Sequence, residues 1–239
     1  MRCRGALVLA AGVLLGCSDL ADGEDGVVAL EVTVPAGGAV EVGDTVQYTA
    51  RALNIQGEEV AAEIRWATPD TANISVDSLT GLVAGKAGAT VARVQASAGS
   101  LLSPLNLITV LARADTLILV SPDTMTVDLL LGSSTPALEA RLESYDPAGP
   151  LSGRDLIYEI VDPVFALPGD RTVELTGGVL IDTLTTGSGG TPASPVALSV
   201  VVGATAPDSA IVEVRAFRFR GTEPVPGSGQ RIRVRFVNP

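Results

Sequence analysis

The sequence contains no histidine, a single lysine and two cysteines. Without histidine, a histidine general base, a Ser-His-Asp triad and an imidazole-ligated zinc site are excluded. The lysine, Lys86, lies in a predicted turn, where nothing would activate its amine as a nucleophile. Acidic residues are numerous, but no carboxylate pair lies beside aromatic residues that could stack on a sugar ring. We therefore expect no enzymatic activity, no metal site and no cofactor.

Aromatic residues and positive charge are also scarce. Aromatic residues make up 3% of the chain, whereas hydrophobic residues make up 46%. Valine, leucine and alanine must therefore fill the core, and valine favours sheets over helices. The net charge of −11 argues against nucleic acid as a partner, because neutralising phosphates requires an excess of lysine and arginine.

The N-terminus has the pattern of a bacterial lipoprotein signal peptide. It reads MRCRGALVLAAGVLLGCSDL, with Arg2 and Arg4 before an apolar run from residue 6 to residue 15. This run is too short to span a bilayer as a mature helix. Leu14-Leu15-Gly16-Cys17 resembles the lipobox, which implies that residues 1–16 are removed and that Cys17 receives the lipid.

A lipid on Cys17 implies that the protein is tethered to a membrane. Cys3 would leave with the signal peptide, so no disulfide could form in the mature chain. Residues 17–28 then read as the lipidated cysteine and an acidic linker, since SDLADGEDG lacks the spacing of a calcium-binding loop. We expect a cell-envelope location, at the outer membrane or the cell surface rather than at the inner membrane.

Apolar residues alternate with polar residues in several short runs, which predicts β-strands. The predicted inward-facing residues are Val46, Tyr48, Ala50 and Ala52 in the first run, Ile64 and Trp66 in the second, and Thr90, Ala92, Val94 and Ala96 in the third. Turn sequences separate these runs, and no helical stripe follows Leu15. The pattern predicts an all-β protein built as a sandwich.

A weak internal repeat divides the chain into two predicted domains. Ala50-Arg51 matches Ala140-Arg141, and Trp66 falls near the position of Tyr158. Strand residues give way to a short polar segment near residues 111–115. We therefore predict one domain at residues 29–112 and a second at residues 113–239.

The first predicted domain resembles the bacterial immunoglobulin-like group 2 domain of intimin- and invasin-type surface proteins. The matching landmarks are Gly43-Asp44, Trp66, Gly81-Leu82-Val83 and Gly88. This resemblance implies an Ig-like β-sandwich and an adhesive or ligand-binding role at the cell surface. The second domain lacks the Trp and the Gly-Leu-Val signature, and we expect a second Ig-like sandwich there from its strand pattern.

The segment GLVAGKAGAT also has some features of a phosphate-binding loop. The spacing from Gly81 to Lys86 is one residue short of the G-x-x-x-x-G-K-[ST] motif, and Ala87 replaces the hydroxyl that would hold magnesium. A phosphate loop also requires a following helix, whereas ATVARVQA alternates as a strand. We interpret Lys86 as a solvated residue at a corner of the sheet.

Arginines are concentrated in the last strands of this acidic chain. If GTEPVPGSGQ closes a hairpin, Arg231, Arg233 and Arg235 form a row on one face, with the intervening apolar residues in the core. One interpretation is that these arginines pair with neighbouring acidic residues and protect a sheet edge. The other is that they contact a polyanion together with Arg218 and Arg220, since guanidinium groups bind oxyanions bidentately.

Two functional hypotheses follow. In the first, a lipid-anchored envelope protein with tandem Ig-like domains serves adhesion or binds a surface ligand. Its partner would be an envelope polysaccharide or another surface protein. In the second, the protein is a structural spacer or an assembly component of an envelope complex.

Overall fold

The structure, a computed structural model, describes residues 26–35 and 37–238. The predicted signal peptide, the predicted lipidation site Cys17 and the linker through residue 25 lie outside the described residues. The described part is all-β, and its one helical element is a 3₁₀ turn, Pro168–Asp170. No helix within it is long and apolar enough to cross a membrane.

The strands that precede residue 112 pair only with one another. They are β1 (Ala29–Thr33), β2 (Ala39–Glu41), β3 (Thr45–Gln47), β4 (Thr49–Leu53), β5 (Glu59–Val60), β6 (Ile64–Ala67), β7 (Ile74–Val76), β8 (Leu82–Gly85), β9 (Thr90–Ala98), β10 (Leu101–Leu102) and β11 (Asn106–Leu111). They form the sheets β1-β4-β5, β3-β8-β7 and β10-β9-β11-β2, with β6 also paired to β9. Side chains from all three sheets share one apolar core that includes Tyr48 and Trp66. We call this part the N-terminal sandwich.

The strands after residue 115 form a second set with its own core. They are β12 (Thr116–Leu119), β13 (Thr124–Asp128), β14 (Ala140–Tyr145), β15 (Ala148–Pro150), β16 (Asp155–Asp162), β17 (Val173–Leu175), β18 (Ile181–Thr185), β19 (Leu198–Val200), β20 (Ser209–Arg215) and β21 (Gln230–Val237). They form the sheets β12-β14-β15, β13-β21-β20-β16-β18 and β17-β19. We call this part the C-terminal sandwich.

The two sandwiches share a strand topology. The sheet β1-β4-β5 corresponds to β12-β14-β15, and the order β2-β11-β9-β6 corresponds to β13-β21-β20-β16. In both sandwiches the short edge strand pairs in parallel with the last strand, and the remaining pairs in that order are antiparallel. Trp66 on β6 and Tyr158 on β16 are both buried. The predicted internal repeat is therefore present in the strand pairing.

The predicted strand TVQYTARAL differs from the observed structure in one respect. It is divided at Tyr48, because β3 pairs with β8 whereas β4 pairs with β1. The backbone N–H of Tyr48 donates to the carbonyl of Gly81 at 3.1 Å, and its side chain is fully buried. One alternating sequence thus contributes to two sheets while keeping the same face inward.

The loop around Lys86 connects two strands. β8 ends at Gly85 and β9 begins at Thr90, and the exposed Lys86 amine donates to the carbonyl of Thr71 at 3.2 Å. A strand therefore stands where a phosphate-binding loop would need a helix. The interpretation of this segment as a corner of the sheet is confirmed.

Gly81 and Trp66, two of the landmarks named in the sequence analysis, pack against each other. Gly81 has a φ of +73°, and a Cβ atom at this position would lie 2.7 Å from the indole of Trp66. A side chain is therefore disfavoured both by the left-handed backbone and by the absence of space. This contact gives a physical reason for the Trp and the Gly-Leu-Val signature to occur together.

Candidate functional site

The last strand, β21, alternates between the core and the solvent. Arg231, Arg233 and Arg235 are exposed. The residues that alternate with them are buried, namely Ile232, Val234 and Phe236. β20 and β21 pair antiparallel, so the predicted hairpin and the predicted row of arginines are both present.

Arg231 is held by acidic neighbours on the same face. It lies opposite Glu213 on β20, and its Nε donates to Glu213 Oε2 at 2.9 Å. Glu213 also lies 3.9 Å from Arg215, which forms an ion pair with Glu159 on β16. For Arg231, the structural interpretation of the row is therefore correct.

Arg233 and Arg235 have different neighbours. Arg233 lies between Thr124 on β13 and Ile211 on β20, and Arg235 lies between Thr126 and Ser209. Within residues 26–35 and 37–238, neither guanidinium has a hydrogen bond, an ion pair or a ring contact. We call Arg233, Arg235, Thr124, Thr126 and Ser209 the arginine face.

The other described arginines all have a partner for the guanidinium group. Nine have a carboxylate, Arg171 has a backbone carbonyl and Arg220 has an aromatic ring. Alternate residues of a strand are spaced by about 6.8 Å. The arginine face therefore offers two free guanidinium groups at a regular spacing, flanked by hydroxyl groups that can donate hydrogen bonds.

Arg218 and Arg220 are not part of this face. β20 ends at Arg215, earlier than the sequence predicts, and residues 216–229 form an irregular connection. Arg218 is only 7% exposed and lies 3.2 Å from Glu223. Arg218 therefore does not lie with Arg233 and Arg235 on the exposed face of the sheet. Arg220 is exposed, but its guanidinium lies over the ring of Phe219 at 4.9 Å.

Phe217 and Phe219 also lie in this connection rather than on the arginine face. Phe217 is 39% exposed, whereas Phe219 is half-buried. A Cβ atom on Gly37 would collide with the guanidinium of Arg220. The connection between β20 and β21 therefore lies against the N-terminal sandwich, which it contacts through the guanidinium of Arg220 and the backbone N–H of Phe219.

Glu41 is a buried carboxylate that links the two sandwiches, and sequence reasoning missed it. It ends β2 and is 1% exposed. Its oxygens accept hydrogen bonds from the backbone N–H of Ala114 and, at 2.7 Å, from that of Phe219. The guanidinium of Arg154 lies 3.8 Å from the same carboxylate and donates to the carbonyl of Ala112 at 2.6 Å. We call this group of contacts the junction.

Burial governs the electrostatics of the junction. Desolvation lowers the pKa of Arg154, although the negative charges of Glu41 and Asp44 oppose that shift. Desolvation also raises the pKa of Asp44, and repulsion from Glu41 adds to the increase. The only sequence signal for the junction is a glutamate at the end of a short apolar run, and such a residue is usually solvated.

These observations define the class of protein: it consists of two β-sandwiches in tandem. The C-terminal sandwich carries the arginine face. The described residues contain no group of three or more His, Cys, Asp or Glu side chains that could hold a metal ion. The sequence matches no family model and no curated protein.

Several solved structures are similar to this chain over most of its length. The adhesin InvE of Yersinia pseudotuberculosis is 15% identical with a TM-score of 0.38, and the similarity covers 87% of this chain and 58% of that one. The fibronectin(III)-like modules of CbhA from Clostridium thermocellum are 13% identical with a TM-score of 0.38, and coverage is 88% and 95%. Domains 4 and 5 of the S-layer protein SbsC are 14% identical with a TM-score of 0.33, and coverage is 88% and 98%.

Proposed function

We propose that this chain is a lipid-anchored cell-envelope protein whose tandem Ig-like sandwiches bind an anionic surface polymer, such as an acidic envelope polysaccharide. The observation that supports this most strongly is the arginine face. In a chain with a net charge of −11, Arg233 and Arg235 are the two described arginines whose guanidinium groups have no partner. Adhesion to a surface that displays such a polymer follows from this binding.

The chemistry of the arginine face suits a repeating oxyanion. Guanidinium groups bind carboxylates and phosphates through two parallel hydrogen bonds. The hydroxyl groups of Thr124, Thr126 and Ser209 lie on neighbouring strands and can donate to further oxygens. The carboxylates of Asp123 and Asp208 lie near the ends of these strands but form no ion pair with either arginine.

A double substitution tests the arginine face directly. Changing Arg233 and Arg235 to glutamine removes two charges but no intramolecular hydrogen bond or ion pair, so we expect an unchanged melting temperature. Binding to purified envelope polysaccharide should weaken about tenfold or more, and its dependence on salt should decrease. Equilibrium binding measured across a salt series gives both quantities.

The matched control changes Arg51 and Arg65 to glutamine. Both are exposed, each pairs with a glutamate, and the change in net charge is identical. If this control weakens binding as much as the arginine-face variant does, only the overall charge matters and the proposed site is wrong. Unchanged binding in the arginine-face variant also contradicts it.

The lipid anchor requires a separate test in cells. Cys17 is the expected acyl acceptor, and several acyl chains on one residue anchor a protein stably. Cys17→Ser should therefore move the protein from the membrane fraction to the soluble or secreted fraction. If the variant remains in the membrane fraction to the same extent, the anchor assignment fails.

The alternative function is a structural spacer, and the junction favours it. Glu41 ties the N-terminal sandwich to two backbone segments of the C-terminal sandwich, which would resist bending between them. Protease treatment of intact cells distinguishes the two functions. Digestion from outside supports adhesion, whereas protection supports a spacer within the envelope.

A further inference from the structure

A cavity lies beside the junction, and none of the arginine-face residues line it. This cavity of about 350 Å³ is lined by ten residues, which include Arg154, Arg218, Arg220, Phe217, Phe219 and Asp155. We call it the arginine pocket. Its volume lies in the range of roughly 300–1,000 Å³ that is typical of small-molecule sites.

Arginines outnumber acidic residues in the lining of this cavity by three to one, and Glu41 and Glu223, outside the lining, compensate Arg154 and Arg218. Asp155 is the one acidic residue of the lining, and the Asp155 carboxylate accepts a hydrogen bond from Thr185 at 3.2 Å. A neighbouring cavity, which shares Arg218 and Arg220, is lined by three acidic residues: Glu41, Asp44 and Glu223. Of the two cavities, the arginine pocket is therefore the one suited to an anion.

Two of these guanidinium groups contact the ring of Phe219. The guanidinium carbons of Arg154 and Arg220 lie 5.1 Å and 4.9 Å from the centre of its ring. Arg154 is compensated by Glu41, whereas Arg220 has no carboxylate within ion-pair distance among the described residues. An anion bound at Arg220 would supply the charge partner that this guanidinium lacks.

The backbone of Arg220 is also unusual. Its φ is +58°, in the left-handed region that residues other than glycine seldom adopt. Such conformations are energetically unfavourable and are concentrated at ligand-binding and active sites. Here the left-handed residue is the one arginine of the pocket whose charge is uncompensated.

We infer that the arginine pocket binds a small sugar-sized molecule that carries one oxyanion group, a carboxylate or a phosphate. Arg220 binds the oxyanion, and the exposed ring of Phe217 packs against the body of the molecule. The pocket is separate from the arginine face, so this inference does not depend on polymer binding by Arg233 and Arg235.

Calorimetric titration of the described chain, residues 26–238, with four probes tests this inference. The probes are glucuronate, glucose 1-phosphate, uncharged glucose and inorganic phosphate. We expect the two acidic sugars to bind and uncharged glucose not to bind. Glucuronate and glucose 1-phosphate together show whether the pocket prefers a carboxylate or a phosphate.

Three variants assign the binding to the pocket. Arg220→Gln should weaken binding of the preferred acidic sugar about tenfold, as expected when one charge-assisted hydrogen bond is lost. Phe217→Ser should weaken binding of that sugar but not of inorganic phosphate. Arg235→Gln, an exposed arginine on the arginine face, is the matched control and should have no effect.

Several results would overturn the inference. One is the absence of heat with both acidic sugars at millimolar concentration. Another is a loss of binding in Arg235→Gln that is absent in Arg220→Gln, which would assign the anion to the arginine face. Equal affinity for inorganic phosphate and the acidic sugars would refute the sugar-sized ligand. Failure of polymer binding in the arginine-face experiment would leave the pocket unaffected.

Discussion

At the scale of single residues, the two cores differ in whether a buried tyrosine hydroxyl has a hydrogen-bond partner. Tyr48 and Tyr158 are both 0% exposed. The hydroxyl of Tyr158 accepts a hydrogen bond from the backbone N–H of Ala140 at 3.2 Å, whereas that of Tyr48 has no partner in the described part of the chain. Burial raises the pKa of Tyr48 to about 12 and also raises the pKa of Tyr158.

Removing each hydroxyl should therefore have opposite consequences. Tyr48→Phe deletes an unpaired polar group, so we expect the free energy of unfolding to stay constant or to rise by about 1–2 kcal/mol. Tyr158→Phe leaves the N–H of Ala140 unpaired in the core and should lower it by about 1–3 kcal/mol. Urea denaturation of both variants measures the difference, and a larger loss for Tyr48→Phe would contradict the assignment.

Trp66 is the largest aromatic residue of the N-terminal core. It is 5% exposed, and its ring meets Tyr48 edge to face with centroids 6.0 Å apart. Trp66→Ala should cost about 3–5 kcal/mol through the cavity it leaves, which is a large part of the roughly 5–15 kcal/mol that stabilises a typical domain.

Tryptophan fluorescence checks this placement, since Trp66 is the one tryptophan of the chain. The native protein should emit as a buried indole, and the emission should shift to longer wavelength on unfolding in urea. Trp66→Phe, which retains an aromatic ring, is the control and should lose less stability than Trp66→Ala. An emission maximum typical of a water-exposed indole in the native state would refute the core position.

At the scale of strands, the sequence predicts alternation well and pairing poorly. The inward residues of β9 and β21 follow directly from their period of two. The division at Tyr48 could not be predicted, because the alternation continues unchanged while the pairing partner changes. The position of Arg218 could not be predicted either, because it lies beyond the end of β20 in an irregular connection.

The same contrast, between alternation within a strand and contacts between strands, decides which parts of the candidate sites could be predicted. The arginine row lies on one regular strand, so its spacing could be predicted from the sequence. Pairing of Arg231 with Glu213 depends on the register between two strands, which no local pattern specifies. The junction and the arginine pocket depend on tertiary contacts between residues far apart in the chain, such as Glu41 and Phe219.

The loop between β6 and β7 is tied to β9 by one carboxylate. Asp70 accepts hydrogen bonds from the backbone N–H of Arg93 at 2.8 Å and from its guanidinium at 2.9 Å. The hydrogen bonds from the Arg93 side chain lower the pKa of Asp70 most, and the backbone bond and the charge of Arg93 add to this effect.

This shift predicts how stability depends on pH. The pKa of Asp70 is lower in the folded state. The contribution of this carboxylate to the free energy of unfolding is therefore fully present above the unfolded pKa of about 3.9. It is lost as the pH falls through the folded value. NMR titration should place the Asp70 midpoint below that of an ordinary aspartate, and Arg93→Gln should raise it. A midpoint at or above about 3.9 in the native protein would contradict this account.

At the scale of the whole molecule, the junction determines whether the two sandwiches behave as one body. Glu41→Gln removes an acceptor from Ala114 or Phe219 and leaves Arg154 without its ion-pair partner. Breaking a buried ion pair in this way costs about 3–5 kcal/mol. We expect faster hydrogen exchange at the amides of Ala114 and Phe219 and more independent tumbling of the two halves.

Glu31→Gln is the control for the junction. Glu31 also pairs with an arginine, Arg51, and both side chains are about half exposed, so its loss should change stability by about 1 kcal/mol or less. If exchange at Ala114 and Phe219 is the same in Glu41→Gln as in the native protein, Glu41 does not hold the sandwiches together.

The central claim of this account is that a polyanion binds the arginine face. An amide chemical-shift map of the isotope-labelled chain, titrated with purified envelope polysaccharide, tests it most directly. The account predicts that the largest shifts follow β13, β20 and β21 around Thr124, Thr126, Ser209, Arg233 and Arg235, and that they diminish as salt is added. Shifts confined to the N-terminal sandwich, or no shifts at saturating polysaccharide, would contradict it.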